Sequence, residues 1–506
     1  MLKKLLASFL AVGHLLAFQV SNCLAGHPAS SVYSLDNSRV FWILVMADCH
    51  TGENADFDAR LRWALTNAYD AIRPQFVVNA GDLTNQHPLE ITTNDVGEWL
   101  NYDNLAGGFG LANYIDAPGN HDQYHETETP LGNYLQYSIL GRTNHYAQNS
   151  WVLNTGFGKY HFMTIATPDP DMTDPETDFT NGCPGELDAG KLAFIESELQ
   201  ANSDADLTFI FGHHTLGGWG AISQGLDEFV QYLNNYGVSA YTYGHTHLAL
   251  HVKDYYVNAD SSPTLAYNVA SLGYDSLYAI MAVDNNGLSV TDVTRAVAGK
   301  WPVVLITAPI DESLGGKNPY AYTVPKSDSN PIRALIFNDP GYAAVSSVRV
   351  KIDGYNAGKL LPVSGNSGLW QGTFDASKLS AGYHHISVRA DCVLASTSAK
   401  VTGSHTIRVS VRAGKPGGIT GRLCKDAPDG PGVQGARVLC AGRSTFSTQD
   451  GQFKLSGVPS GFQRLSFSKA GYVPGHLIVP VPEKSIYDAG EQALIESKTS
   501  EHLPGR

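Results

Sequence analysis

The sequence predicts an α/β domain followed by all-β modules, and three observations carry that prediction. From residue 40 to about 245, short apolar runs alternate with stretches of helical periodicity. Five of the apolar runs end in Asp, Asn or His. Beyond Pro302 the pattern changes to apolar–polar alternation, the period of half-buried strands.

At 506 residues the chain is too long for one ordinary core, so several domains are expected. Its 43% hydrophobic and 10% aromatic content supports well-packed cores and excludes a disordered chain. A net charge of −14 argues against general binding to nucleic-acid backbones. Residues 1–25 read as a secretory signal: Lys3 and Lys4, then the apolar run Leu5 to Ala17, then Cys23-Leu24-Ala25 at a cleavage site. A secreted, periplasmic or envelope location is therefore expected, with a lipid on Cys23 as the second choice because Asn22 suits a lipoprotein signal poorly. The five other cysteines, Cys49, Cys183, Cys392, Cys424 and Cys440, lack zinc-type spacing. Cys424 and Cys440 fall on neighbouring predicted strands, where either a disulfide or two buried thiols is open.

Val40 to Met46 is apolar throughout, as a strand covered on both faces must be, and leads into Ala47-Asp48-Cys49-His50. Asp48 and His50, two apart at a strand end, project to one side as a carboxylate–imidazole pair able to grip one ion; Cys49 points into the core. Phe57, Leu61, Leu65, Ala68 and Ile72 predict a helix that Pro74 ends. Phe76-Val77-Val78 then delivers a second strand into Gly81-Asp82, next to Asp48 on one sheet edge. Residues 84–112 predict a loop with a helix near Val96–Asn101, and Tyr114 to Pro118 a third strand entering Gly119-Asn120-His121-Asp122. The Asn120 amide is an adequate hard ligand beside anionic and imidazole donors, His121 stands near it as a proton donor, and Asp122 is placed to accept the other His121 ring N–H.

Residues 123–150 read as irregular, with Tyr124, His125, His145 and Tyr146 set against a substrate mouth or, in the plainer reading, solvated loop. Tyr160 to Ile165 predicts a strand with His161 packed in the core. A helix over Asp188 to Leu199 precedes the strand Leu207 to Phe211, which ends in Gly212-His213-His214. A helix from Leu226 to Asn235 precedes the strand Ala240 to Tyr243, which ends in Gly244-His245-Thr246-His247.

Taken in order, Asp-x-His, Gly-Asp, Gly-Asn-His-Asp, Gly-His and Gly-His-x-His resemble the calcineurin-like metallophosphoesterase family over residues 38 to about 295, read as one domain to 298. The resemblance implies a four-layer β-sandwich flanked by helices, with the site at the strand ends. It also implies that Asp48, His50 and His247 hold one metal ion, that Asn120, His213 and His245 hold a second, and that Asp82 bridges them. Manganese, iron or zinc suits such donors. Paired cations can share a water and aim it at phosphorus in line with the leaving group, which predicts hydrolysis of phosphate mono- or diesters, with His121 and Asp122 in catalytic roles. The alternatives are a binding protein whose metal is structural, and a nuclease of the same family.

Residues 302–413 carry six or seven strands, among them Val348–Ile352 and Ile407–Arg412, and suggest an immunoglobulin-like sandwich. After Lys415-Pro416-Gly417-Gly418, read as a linker, residues 418–490 resemble the regulatory-like domain of carboxypeptidases through Gly421-Arg422-Leu423, Gly435-Ala436-Arg437-Val438 and Thr448-Gln449-Asp450-Gly451. Both modules predict spacer or attachment roles, including contact with a glycan or envelope partner. Residues 491–506 read as a polar tail, and the oligomeric state is open.

Overall fold

The computed structural model describes residues 39–86, 95–124, 130–169, 182–248, 251–252, 264–294, 301–314, 323–339, 344–394, 396–412, 415–441 and 443–496. The signal stretch, His125 and the end of the tail lie outside them. Strand β1 (Val40–Met46) is buried along its whole length. It pairs in parallel with β2 (Val77–Ala80), which pairs in parallel with β3 (Tyr114–Ala117). After β4 (Asn149–Thr155), β5 (Gly158–Thr164) and the short β6 (Gly185–Glu186) come β7 (Leu207–Phe211), β8 (Ile222–Gln224), β9 (Ala240–Tyr243), β10 (His251–Val252) and β11 (Leu265–Asn268). β12 (Leu277–Asp284) and β13 (Gly287–Thr294) return to the first sheet, ordered β13-β12-β1-β2-β3, while the second runs β10-β11-β9-β7-β5-β4.

The two sheets face each other across Phe41, Ile43, Val45, Val78, Phe162, Phe209 and Met281. The alternate residues of β1, Trp42, Leu44 and Met46, pack outward against Leu61, Leu65, Ile72 and Trp99 of the helical layer. On the far side of the second sheet, helices Ala189–Ala201 and Leu226–Asn235 bury Ile195, Leu199, Phe229 and Leu233. The layers are thus helix, sheet, sheet, helix, which bears out the expected fold class and explains why β1 is apolar on both faces.

The predicted first helix forms, but its middle turn, Ala64–Ala68, is a π segment between Ala55–Trp63 and Tyr69–Ile72, and Arg73 ends it in a left-handed conformation before Pro74. The second helix runs Asp95–Ala106, longer than predicted. Residues 123–150 are less irregular than expected: helices Gly132–Tyr137 and Ile139–Asn144 form there, tied to the β3 residue Asp116, which accepts from Ile139 N at 2.8 Å and Leu140 N at 2.7 Å.

Among its described residues the C-terminal third is built of strands, apart from a 3-10 turn over Glu312–Leu314. Two sheets enclose a core that includes Ile306, Ile332, Val350, Val388 and Val409, and two smaller sheets enclose Ile419, Val438, Leu455, Leu465 and Val479. Gly417 and Gly418 open the strand Gly417–Lys425 rather than forming a linker, and residues 491–494, read as tail, pair with that strand. Cys424 and Cys440 lie in different sheets and stay buried thiols, because successive strands of a sandwich cross between its sheets. Nor are these modules loosely tethered. Trp301, Val303, Leu335, Phe337 and Leu369 join the core that covers the outer face of β1, and the rings of Trp42 and Phe337 lie 5.3 Å apart.

An ion pair closes that junction. Arg333 Nε donates to Asp284 Oδ2 at 2.8 Å, with the Thr307 hydroxyl donating to the same oxygen at 2.6 Å. Both partners are buried. Removing the guanidinium strands a carboxylate in a dry interface, so Arg333→Ala is expected to cost about 3–5 kcal/mol in urea unfolding.

Candidate metal centre

Every candidate ligand sits just beyond the C-terminal end of a parallel strand, four of them supplied by the first sheet and three by the second. Asp48 and His50 follow β1, Asp82 follows β2, Asn120 follows β3, His213 follows β7, and His245 and His247 follow β9. The sequence placed Asp48 and His50 on an extended strand end. Instead Asp48, His50, Asp82, His245 and His247 all have left-handed backbones, φ 52°, 47°, 52°, 69° and 56°. Backbone bonds across the strand ends hold them there: Asp48 N donates to Gly81 O at 2.9 Å, His50 N to Asp82 O at 3.1 Å and Gly244 N to His213 O at 3.2 Å. Cys49 turns into the core as expected, accepting from Asn79 Nδ2 at 3.2 Å.

The turns bring the side chains together. Ligand atoms of Asp48, His50, Asp82 and His247 all lie within 4.8 Å of one another, as do those of Asp82, His213 and His245. Asp82 belongs to both sets. Its Oδ2 is 3.1 Å from His213 Nε2 and 3.8 Å from His50 Nε2. Asp48 Oδ1 lies 3.4 Å from His247 Nε2 and accepts from His245 N at 2.9 Å. Among the described residues the ligands are buried except His247, which keeps 33% of its side-chain surface exposed, whereas Asp48 keeps none.

The donors fit metal ions. His50 Nε2 and His247 Nε2 approach to 3.3 Å, the spacing of two imidazole nitrogens around one tetrahedral cation at about 2.0–2.1 Å. Asn120 gives its Nδ2 to the Tyr124 hydroxyl at 2.6 Å, which leaves Oδ1 buried without a hydrogen-bond partner; Asp48 Oδ2 is likewise buried and unpartnered. Such orphaned acceptors suit an ion better than a proton-poor protein interior. His213 Nδ1–H donates to Ala80 O at 2.8 Å, which fixes the tautomer with Nε2 facing the carboxylates. His214 has neither nitrogen to offer, for Nδ1 is bonded to Thr167 Oγ1 at 2.7 Å and Nε2 to Cys183 O at 3.0 Å.

Protonation follows from these neighbours. Burial holds His50 down at about 3 and, with His213 adding to it, His245 at about 4. Burial would also lower His213, but the Asp82 carboxylate outweighs it and raises that ring to about 9. Burial likewise works to raise Asp82, and His213 heads the charges that carry it well below the usual carboxylate range instead.

His121 and Asp122 are not arranged as the sequence suggested. Asp122 accepts from the backbone of Gly119 at 2.8 Å, Leu83 at 3.0 Å and Thr84 at 3.0 Å, so it ties two ligand loops together and does not orient the His121 ring. The carbonyl of Asn85 takes that place, 3.2 Å from His121 Nδ1, and the His121 amide donates to Asp82 Oδ1 at 2.9 Å. The 3-10 turn over Asn120–Asp122 points the carboxylate back at its own N-terminus. Tyr124 is buried, its hydroxyl donating to Cys183 Sγ at 2.7 Å, and serves Asn120 rather than a mouth. Tyr146 packs on Phe194 and His145 closes a helix; His161 is buried against Ser150, as expected. The sequence reading overlooked Trp219, stacked on His245, and Tyr274, stacked on His247. A bulky aromatic set between Gly218 and Gly220 was the available signal for the first.

A β-carbon added at Gly119 would overlap Asp82 Oδ1 and its amide nitrogen. Gly119→Ala is therefore expected to lower bound metal in the purified protein while leaving its circular dichroism unchanged. A cation must displace the proton that Asp82 holds on His213. Its apparent affinity should climb as pH rises from 7 toward 9, by up to about tenfold per unit for one displaced proton, and level off above; Mn²⁺ titration calorimetry across that range checks the slope.

Among solved structures, an anchor of the inner membrane complex of Plasmodium aligns at 12% identity and a TM-score of 0.35, covering 51% of this chain and 86% of that one. NAD nucleotidase of Haemophilus influenzae aligns at 12% identity and a TM-score of 0.32, covering 52% of this chain and 53% of that one. Fibronectin(III)-like modules of Clostridium thermocellum CbhA align at 12% identity and a TM-score of 0.15, covering 36% and 95%. Likenesses this distant carry nothing about function. The family match does: residues 41–249, the segment that holds every candidate ligand, match the calcineurin-like phosphoesterase family, and the chain is on that ground a phosphoester hydrolase.

Proposed function

We propose that this chain is an exported phosphatase or phosphodiesterase working at a two-ion centre. The observation that carries the reading is the shared position of Asp82, whose carboxylate belongs to both groups of ligand atoms. Asp48, His50 and His247 would hold one ion, Asn120, His213 and His245 the other, and Asp82 both. When bound, such ions supply an activated water and neutralise the phosphoryl oxygens as the transition state forms; manganese, iron or zinc matches the donors.

The chain's own groups do the rest. His121 is clamped through its amide on Asp82 and through Nδ1–H on the Asn85 carbonyl, so its neutral ring leaves Nε2 bare, and Nε2 must take up a proton before it passes one to the departing alkoxide. Asp122 is a positioning residue that keeps the Gly119, Leu83 and Thr84 backbone in register. The closed surroundings of Asp48 and Asp82 exclude bulk water and leave the His247 side as the approach for an ester. Of the two C-terminal sandwiches, we read the first as immunoglobulin-like and the second as carboxypeptidase-regulatory-like, accessory modules whose outer faces suit a glycan or envelope partner.

Purified full-length protein is expected to hydrolyse model mono- or diesters with Mn²⁺ and to stop on addition of chelator. Activity that persists in a metal-free preparation overturns the proposal. His121→Ala should lower kcat by about 10²-fold or more with metal content retained, whereas Asp82→Asn should release metal and abolish turnover.

A further inference from the structure

Two large aromatic side chains lie open to solvent at the metal centre, one over each group of ligands. Trp219 is 60% exposed and stacks on His245, with ring centroids 5.6 Å apart and planes 14° from parallel. Tyr274 is 50% exposed and stacks on His247 at 4.8 Å and 22°, with its edge against His50 at 5.2 Å. Exposed aromatics are ordinary when scattered, and Tyr355, Tyr383 and Phe446 are such cases in the C-terminal sandwiches. What sets this pair apart is that each lies flat on a candidate ligand.

Both rings are fixed in place. Trp219 rises from a turn in which Gly218 and Gly220 have φ of 85° and 69°. A β-carbon on Gly182 would come within 2.6 Å of its indole, and one on Gly220 would overlap the His245 ring. Gly182 also accepts from His245 Nε2 at 2.9 Å, so glycine backbone, histidine and indole form one layered unit. Tyr274 stands on a short helix, Leu272–Asp275, capped by Ser271, whose hydroxyl accepts from Tyr274 N at 2.8 Å and donates to Asp48 O at 2.9 Å. Beneath it Phe57 packs edge-on at 4.9 Å, and Arg60 bonds the carbonyl of Gly273. The partly open His247 lies directly against Tyr274, so the ring flanks the approach to the ions.

A rigid, solvent-facing aromatic plane leaves a face that only another flat surface covers well, and stacking of that kind tolerates many ring chemistries. We infer that Trp219 and Tyr274 form a substrate subsite selecting phosphoesters whose alcohol carries a planar aromatic ring, an aryl group or a nucleobase. The inference rests on the phosphoesterase reading and adds the class of ester that reading leaves open. Both residues act by binding the leaving group; neither touches the reacting phosphorus.

The test compares matched esters on the Mn²⁺-loaded full chain. Benzyl and cyclohexylmethyl phosphate have alcohols of similar size and acidity, but only one has a flat π face. A nucleoside 5′-monophosphate against ribose 5-phosphate forms the second arm. The expected result is an aromatic preference of about tenfold in kcat/KM in one or both arms; preference in the nucleotide arm alone identifies the ring as a nucleobase. Trp219→Ala and Tyr274→Ala should move the aromatic-to-alicyclic ratio toward one, mainly through KM, and Trp219→Phe should keep most of it. Equal handling of each pair by the wild type, or a ratio that neither alanine variant changes, overturns the inference. Calorimetry with benzylphosphonate and cyclohexylmethylphosphonate separates the two readings. If the benzyl compound binds more tightly while no ester is hydrolysed, the subsite stands and the phosphoesterase proposal falls.

Discussion

Two carboxylates buried side by side set the terms for this structure. Asp48 and Asp82 keep 0% and 1% of their surface and follow the ends of adjacent parallel strands. Like charges so placed are costly unless cations, protons or oriented dipoles surround them. The chain itself supplies part of that compensation: the His245 amide and the raised His247 ring to Asp48, the His121 amide to Asp82, and the raised His213 between them. What remains unmet, including the unpartnered Asn120 and Asp48 oxygens, has the form of a cation's coordination sphere.

The backbone is bent to the same end. Five ligand residues occupy the left-handed region, where each non-glycine residue costs on the order of 1–3 kcal/mol. That strain persists because bonds between neighbouring strand ends overdetermine it, and because Gly81, Gly119 and Gly244 let the turns close on His213, Asp82 and Asp48 without side chains of their own. The four-layer core serves this arrangement, since only sheets packed on both faces hold parallel strand ends rigid enough to carry it.

Much of this was legible from residues alone. The apolar run of β1, the Gly-Asp and Gly-His-x-His strand ends, and the helices before β7 and β9 follow from periodicity and punctuation, both of which are local. The preference for His213 over His214 came from resemblance; the geometry adds the reason, since Thr167 and the Cys183 carbonyl occupy both nitrogens of His214. What stayed hidden depends on distant partners. Nothing near Asp122 says that it binds the backbone of residues 83 and 84, or that a carbonyl at position 85 orients His121. The left-handed turns were missed because Asp and His do not advertise that conformation as glycine does. The linker reading at Gly417-Gly418 failed for a related cause: glycine there serves close packing against the Pro482 carbonyl, not chain flexibility.

The strand beside β1 on the side away from β2 is β12, and the hydroxyl that grips the Asp48 carbonyl belongs to Ser271, 223 residues further along. During synthesis the first ligand therefore leaves the ribosome long before its walls exist. A nascent chain halted anywhere short of Leu277–Asp284 holds loose carboxylates and imidazoles but no pocket. A metal ion at these ligands would therefore find its full set of walls only in a chain synthesised through β12.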